Sequence, residues 1–121
     1  MTKIVFFRSG GVFYGFQEQG HTGYGEAGDD ILCAAISSMT MLLINTIEVA
    51  YASSVDFTID EKTTNIKVTS KAALPEYEED DMKRYAVSGI FLAYYKQIED
   101  MLEEYYDYLD VSVEDRDYDE E

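Results

Sequence analysis

The stretch GHTGYGEAGDDILCAA, residues 20–35, joins a strand-like pattern to a helix-like pattern. It contains the single histidine and the single cysteine of the 121-residue chain. Four glycines among its first nine residues predict a loop, because glycine adopts turn conformations at no steric cost. Apolar residues at helical spacing follow from Ile31, and either Asp29 or Asp30 is a suitable N-cap for that helix. The fold and the chemistry are therefore both expected to depend on this connection.

A β-hairpin is predicted on the N-terminal side of this connection. Residues 2–8 (TKIVFFR) and 12–19 (VFYGFQEQ) are rich in β-branched and aromatic side chains, which are typical of strands. Ser9, Gly10 and Gly11 lie between them and predict a tight turn. We therefore expect two antiparallel strands before the glycine loop.

Two more strands and a second helix are predicted on the C-terminal side. Residues 55–60 (VDFTID) and 65–70 (NIKVTS) alternate apolar and polar side chains, which predicts strands with one buried face. After Pro75, an acidic segment precedes a helical pattern from about Asp80 to Leu109. The order β-β-α-β-β-α predicts a two-layer α+β fold, with both helices on one face of a mainly antiparallel four-stranded sheet. The opposite face is expected to need cover from a partner.

The chain length fits one domain, which we predict to occupy residues 1–109. Residues 110–121 (DVSVEDRDYDEE) are rich in charge and show no core pattern. We therefore predict that they form an acidic disordered tail that catalysis does not require.

Acidic residues dominate the charge, since the formal net charge is −16 and most acidic side chains follow Pro75. This charge should repel nucleic acids and anionic membranes and attract basic partners. The charge-free run 31–47 is just shorter than the ~18 residues of a membrane span and includes polar side chains, so a buried helix is expected instead. A single cysteine excludes an internal disulfide, and the first residues lack the pattern of a secretory signal. These features predict a cytoplasmic protein with no direct nucleic-acid or membrane partner.

No cofactor or metal is expected. Gly23, Gly25 and Gly28 match the spacing of the dinucleotide-binding fingerprint, in which a helix N-terminus binds a pyrophosphate. Glu26 and the two aspartates that follow would place negative charge where that pyrophosphate binds, so we reject a nucleotide site. One cysteine and one histidine leave any other metal ligands to carboxylates with no recognisable spacing.

Cys33 and His21 support two interpretations. A lone cysteine among apolar residues is commonly a small buried hydrophobe, and a lone loop histidine is commonly exposed. Alternatively, with Asp30 as N-cap, Cys33 falls in the first helical turn, where unpaired N–H groups favour a thiolate and could hold an oxyanion. His21 could then fold back to the sulfur. Asp29 and Asp30 disfavour a thiolate by their charge, and Asp30 either caps the helix or orients His21. The sequence leaves these alternatives open.

Catalysis by such a pair would require the loop to close on the substrate. We predict that the loop is flexible without substrate, because glycine loses more backbone entropy on ordering than other residues. The glycines concerned are Gly20, Gly23, Gly25 and Gly28.

The pair Gly20–His21, followed by GEAGDDILCAAISSM at residues 25–39, resembles a family motif. The motif is Gly-His … Gly-x-Asp-x-x-Cys-Ala-Ala-x-Ser, and it is typical of the ribosomal-processing cysteine protease (Prp) family. The resemblance implies a small α+β domain over residues 1–109 that forms homodimers. It also implies that Cys33 is the nucleophile and His21 the general base and acid. Asp30 occupies the position of the motif aspartate, and Ser37 that of the motif serine.

The resemblance further implies a substrate. Members of the family trim the N-terminal extension of large-subunit ribosomal protein twenty-seven and cut after an aromatic residue. The alternative is a non-catalytic dimeric ribosome-associated protein that binds a basic ribosomal segment without cutting it. Independently of the resemblance, the tyrosines of the second helix favour a homodimer, because aromatic side chains are enriched at interfaces. These tyrosines are Tyr85, Tyr94, Tyr95, Tyr105, Tyr106 and Tyr108.

Overall fold

One mixed sheet and two long helices form the fold. The computed structural model describes residues 1–20, 27–60, 62–63 and 65–118, with the backbone alone described at 27–30. In this part of the chain the strands and long helices are β1 Thr2–Ser9, β2 Val12–Gln19, α1 Ala27–Asn45, β3 Asp56–Ile59, β4 Ile66–Thr69, α2 Asp81–Tyr105 and β5 Leu109–Asp115. The strand order is β3-β4-β2-β1-β5. The α+β class and the predicted elements are confirmed, and a fifth strand is added.

The predicted hairpin is confirmed. β1 and β2 pair antiparallel, with Phe6 opposite Phe16. Gly10 and Gly11 form the turn at φ 56° and 81°. Positive φ at both central residues is the geometry that lets a two-residue turn match the twist of the two strands. The paired strands therefore end together and pass the chain from Gln19 into the glycine loop.

The fifth strand corrects the prediction of a four-stranded sheet and of a disordered tail from Asp110. β5 runs parallel to β1, and Leu109 is opposite Thr2. Its sequence, LDVSVED, alternates apolar Leu109, Val111 and Val113 with polar residues. This period of two is typical of a strand, and the high charge of the flanking residues hid it. Within the described residues, the β1–β5 pair is the parallel one, so the sheet is mixed.

Both helices pack on one face of the sheet, as predicted. Glu18 of β2 has its side chain on that face, where it hydrogen-bonds to Thr40 of α1 and Tyr94 of α2. The core beneath the helices contains side chains with 0% exposure, which are Ile4, Phe6, Phe16, Leu32, Ile36, Ile47, Val68, Val87, Phe91 and Ile98. The sheet thus provides a rigid base for the N-terminal half of α1.

The opposite face of the sheet is covered in part by the chain's own C-terminal segment. Phe7 and Tyr14 on this face are each only 2% exposed. The guanidinium of Arg116 lies 4.7 Å from the centre of the Phe7 ring, and the Tyr118 ring centre lies 5.8 Å from that of Tyr14. The Tyr14 hydroxyl donates to the Arg116 carbonyl oxygen at 3.1 Å. The expectation that a partner must cover this face is therefore wrong around Phe7 and Tyr14, where the chain's own C-terminal segment covers it.

The segment Ile31–Ala50 has a mean hydropathy of 1.6 and is long and apolar enough to cross a membrane, by length and composition alone. It comprises most of α1 and the π-helical turn Thr46–Ala50 that follows. Its residues Ile36, Leu43 and Ile47 pack into the core of the domain. This packing accounts for the apolar residues on one side of the segment, whereas Ile31, Leu42 and Val49 are exposed.

Candidate active site

Three elements meet where β1 begins, β2 ends and α1 passes above them. Gly20 follows β2 directly and has φ +78°. A Cβ atom at Gly20 would collide with the carbonyl oxygen of Met1. Both observations require glycine at this position, because other residues disfavour positive φ and need the space that Met1 occupies. Gly20 thus fixes the direction in which the chain leaves the sheet towards His21.

Cys33 lies in the second turn of α1. The helix begins at Ala27, so Cys33 is its seventh residue. The expectation of a first-turn cysteine behind an Asp30 cap is wrong, because Asp29 and Asp30 are themselves helical residues of the first turn. Carboxylates in a first turn are stabilised by the helix dipole, which explains why the helix extends through them. The N–H groups of residues 27–29 have no intrahelical acceptor.

The sulfur of Cys33 points towards the sheet. Cys33 is 8% exposed, and the adjacent Leu32 and the Ile36 that follows are fully buried. The Sγ atom lies 3.8 Å from Oγ1 of Thr2, the first residue of β1, whose exposure is 0%. This hydroxyl–sulfur contact brings the start of the central strands and the second turn of α1 together. Burial of the thiol is typical of a core cysteine, and it is also compatible with a nucleophile in an enclosed site.

The other predicted site residues divide into three groups. His21, Gly23 and Gly25 lie outside the described residues. Gly28 and Asp30 are helical, and only their backbone is described. Ser37, one turn after Cys33, is exposed. Gly20 and Cys33 therefore both pack against Thr2, and the predicted histidine–cysteine pair and the flexible loop stay predictions. Within residues 1–20, 27–60, 62–63 and 65–118, no three His, Cys, Asp or Glu side chains are grouped to hold a metal.

A buried polar cluster next to this region was not found from the sequence. Glu18, two residues before Gly20, has no exposed surface. Its Oε1 accepts hydrogen bonds from the Tyr94 hydroxyl at 2.6 Å and the Thr40 hydroxyl at 2.7 Å. Its Oε2 is buried and has no hydrogen-bond partner among the described atoms. Burial raises the pKa of Glu18 to about 7, although both hydroxyl hydrogen bonds act in the opposite direction. Burial also raises the pKa of Tyr94.

A signal for Thr2 and Glu18 was present in the strand alternation. Thr2 shares its face with Ile4 and Phe6 on β1, and Glu18 shares its face with Phe16 on β2, because side chains alternate along a strand. A polar residue at a core-facing position of a strand indicates a buried polar contact. The hydrophobic content of both segments predicts strands, but it does not by itself predict buried polar contacts at Thr2 and Glu18.

Comparison with known proteins assigns the region to a family. The family model described as cysteine protease Prp matches residues 1–110 of the chain. Comparison with curated proteins gives no significant match.

Solved structures share the fold over nearly the whole chain. SMU.848 from Streptococcus mutans has 25% identity and a TM-score of 0.78, covering 96% of this chain and 99% of that one. The essential ribosomal processing protease Prp from S. aureus, in complex with a substrate peptide, has 18% identity and a TM-score of 0.77, with coverage of 94% and 100%. The S. aureus protease with a covalently linked product peptide has 19% identity and a TM-score of 0.74, with the same coverage.

Proposed function

Because the chain belongs to the Prp family of cysteine proteases, we propose that it is a cysteine endopeptidase in which Cys33 is the nucleophile and His21 the general base and acid. The observation that carries this proposal is the position of Cys33. It lies in the second turn of α1 with its sulfur towards the sheet, and Gly20, which follows the end of β2, precedes His21 in the chain. Gly20 packs against Met1 and Thr2, and the Thr2 hydroxyl contacts the Cys33 sulfur.

The proposed reaction has two steps. The Cys33 thiolate attacks the scissile carbonyl carbon, a C–S bond forms, and the C–N bond breaks as His21 protonates the leaving amine. His21 then removes a proton from water, which attacks the acyl-enzyme and releases Cys33. Helical side chains tilt towards the helix N-terminus, so the sulfur of Cys33 is directed back towards residues 27–30. The N–H groups of that first turn are therefore proposed to bind the oxyanion.

We propose supporting roles for Asp30 and Ser37. Asp30 is a first-turn residue of α1, and we propose that its carboxylate orients His21. Ser37 is exposed one turn after Cys33, which leaves its hydroxyl accessible to a bound peptide.

The proposed substrate is an extended basic N-terminal segment of large-subunit ribosomal protein twenty-seven, which the enzyme would cut after an aromatic residue. The substrate-peptide complex of the S. aureus ribosomal processing protease supports a ribosomal peptide. The net charge of −16 supports a basic one, because opposite charge accelerates encounter. We further propose that the enzyme acts in the cytoplasm as a homodimer.

The proposal is tested with the full chain and a peptide that copies the N-terminus of the host's own ribosomal protein twenty-seven. We expect one cut after an aromatic residue, detected by mass spectrometry. Cys33→Ala and His21→Ala should each abolish the cut, and the double variant should lose hardly more, because residues that act as a unit are not additive. Cys33→Ser should still bind the peptide.

The matched control is Ser38→Ala, an exposed serine on the same helix, which should cleave like the parent. Cleavage that persists in Cys33→Ala contradicts the mechanism. Tight binding without any cleavage by the parent chain favours the second candidate, a non-catalytic ribosome-associated protein. The burial of Cys33 at 8% exposure is the observation that favours that candidate.

A further inference from the structure

Thr2 is held rigidly at the start of β1. Its backbone N–H donates to the Tyr108 carbonyl oxygen at 2.8 Å, and it lies opposite Leu109 of β5. On the other side, the space at Gly20 is closed by Met1 and by the Thr2 Cα atom. Strand alternation directs the Thr2 side chain into the helix layer, where its exposure is 0%. The hydroxyl therefore has a fixed place beneath α1.

The sulfur of Cys33 lies within hydrogen-bonding reach of this hydroxyl. The Oγ1–Sγ distance is 3.8 Å, which is in the range of hydrogen bonds to sulfur. A fully buried hydroxyl needs a hydrogen-bond partner, and the sulfur supplies one. When the sulfur is a thiolate it can only accept, so the Thr2 hydroxyl must donate. A hydrogen bond to an ionised acceptor is roughly twice as strong as one between neutral groups.

We infer that Thr2 is a positioning residue for Cys33: its hydroxyl donates to the thiolate, fixes the direction of the sulfur and favours the ionised form. This inference rests on the proposed role of Cys33 as nucleophile. It adds a residue from β1 to a site whose other proposed members come from the glycine loop and α1. Because β1 is an interior strand of the sheet, the donor is carried by one of the most rigid parts of the fold.

Two conservative variants of Thr2 distinguish a positioning role from a purely structural one, because the two roles predict opposite results. Thr2→Val keeps the shape of the side chain and removes the hydroxyl, whereas Thr2→Ser keeps the hydroxyl and removes the methyl group. If Thr2 only fills space, Val is tolerated and Ser is the damaging change. If Thr2 positions the sulfur, Val impairs Cys33 and Ser restores it.

The test measures alkylation of Cys33 by iodoacetamide between pH 5 and pH 9 in the full chain, read by intact mass. Cys33 is the single cysteine, so the signal is unambiguous. We expect Thr2→Val to shift the pH of half-maximal alkylation upward by about 1–2 pH units, the effect of losing one hydrogen bond to a charged group. Thr2→Ser should react like the parent, and so should the control Thr58→Val, a change at an exposed residue of β3.

An unshifted alkylation profile in folded Thr2→Val overturns the inference. If Thr2→Val does not fold, Thr2→Ala takes its place, because alanine also lacks the hydroxyl. An alkylation profile of Thr2→Ala that equals the profile of Thr2→Ser then overturns the inference. Alkylation requires no peptide cleavage. A shifted profile in a chain that cleaves no peptide therefore supports the role of Thr2 while rejecting the proposed function.

Discussion

Glu18 places a carboxyl group in an apolar layer, with two hydroxyl donors on one oxygen and none on the other. A buried carboxylate lacks the water that stabilises its charge, so its proton is held to unusually high pH. In the folded chain the pKa of Glu18 is about 7, compared with an ordinary value of 4.5. The folded state therefore binds a proton that the unfolded state has already released between these two values.

This difference predicts how stability depends on pH. Because the folded-state pKa is raised, the stability associated with the protonated Glu18 is complete below about pH 4.5 and is lost as the pH rises through about 7. The loss is on the order of 3 kcal/mol. The free energy of urea unfolding is measured for the parent chain and for Glu18→Gln, at pH 5 and at pH 8. The comparison isolates the effect of Glu18, because the other groups titrate alike in the two chains. A stability difference between the two chains that is the same at both pH values would contradict the prediction.

Gly20 gives a second prediction at the scale of single residues. Gly20→Ala must adopt a positive φ and displace Met1, so we expect a loss of at least 1–2 kcal/mol of stability and a strong loss of peptide cleavage. The matched control is Gly89→Ala in α2, where an added Cβ meets nothing within 4 Å. Alanine is the better helix former, so this control should stabilise the chain by about 0.5–1 kcal/mol. Unchanged melting and cleavage in Gly20→Ala would show that Gly20 does not fix the chain path.

At the scale of elements, the sequence predicted the bounds of a strand or helix correctly where its pattern is typical of only one kind of structure. Alternation and turn residues predicted β2 at its observed bounds, Val12–Gln19, and predicted β1, β3 and β4 within one residue. The start of α1 was misplaced because aspartates are equally suited to the N-cap and to the first turn of a helix. β5 was missed because its apolar positions are few and its charges many. The contact between Thr2 and Cys33 joins residues 31 positions apart, and no local pattern encodes it.

Because β5 pairs with β1, we expect the C-terminal residues to be needed for stability, whether or not catalysis requires them. A chain ending at Asp110 loses most of β5, the Arg8–Asp115 ion pair at 2.7 Å and the cover that Arg116 gives to Phe7. We expect it to be destabilised by about 3 kcal/mol or more, through the exposure of buried apolar surface, and to melt at a clearly lower temperature. A chain ending at Tyr118 keeps these contacts and serves as the control. Equal melting temperatures for the two truncated chains would contradict the structural role of β5.

At the scale of the whole molecule, the proposed homodimer needs an exposed apolar surface. Met82, Tyr85 and Leu92 lie on one face of α2 and are 80%, 83% and 45% exposed. Tyr94, which the sequence placed among the interface tyrosines, is instead buried in the core at 5% exposure. The exposed stripe on α2 is therefore the better candidate surface, because contiguous exposed apolar side chains are typical of interaction sites.

This surface leads to a prediction about assembly. Sedimentation equilibrium at micromolar concentration should give a mass of about twice 13.8 kDa. Tyr85→Glu should shift the equilibrium towards the monomer, because it introduces a charge in an apolar contact. Lys62→Glu, a change of charge at an exposed residue of the turn between β3 and β4, lies away from α2; it is the control and should leave the mass unchanged. A single 13.8 kDa species in the parent chain would contradict the proposed dimer.

The pairing of β1 with β5 also has a consequence for the order of synthesis. Thr2 is synthesised before its neighbours Tyr108 and Leu109, which follow more than a hundred residues later in the chain. A nascent chain therefore holds Thr2 and Cys33 without the strand that fixes β1 on its outer side. Closing so long a segment is slow compared with forming the first hairpin. The proposed protease can thus become competent only after β5 is translated.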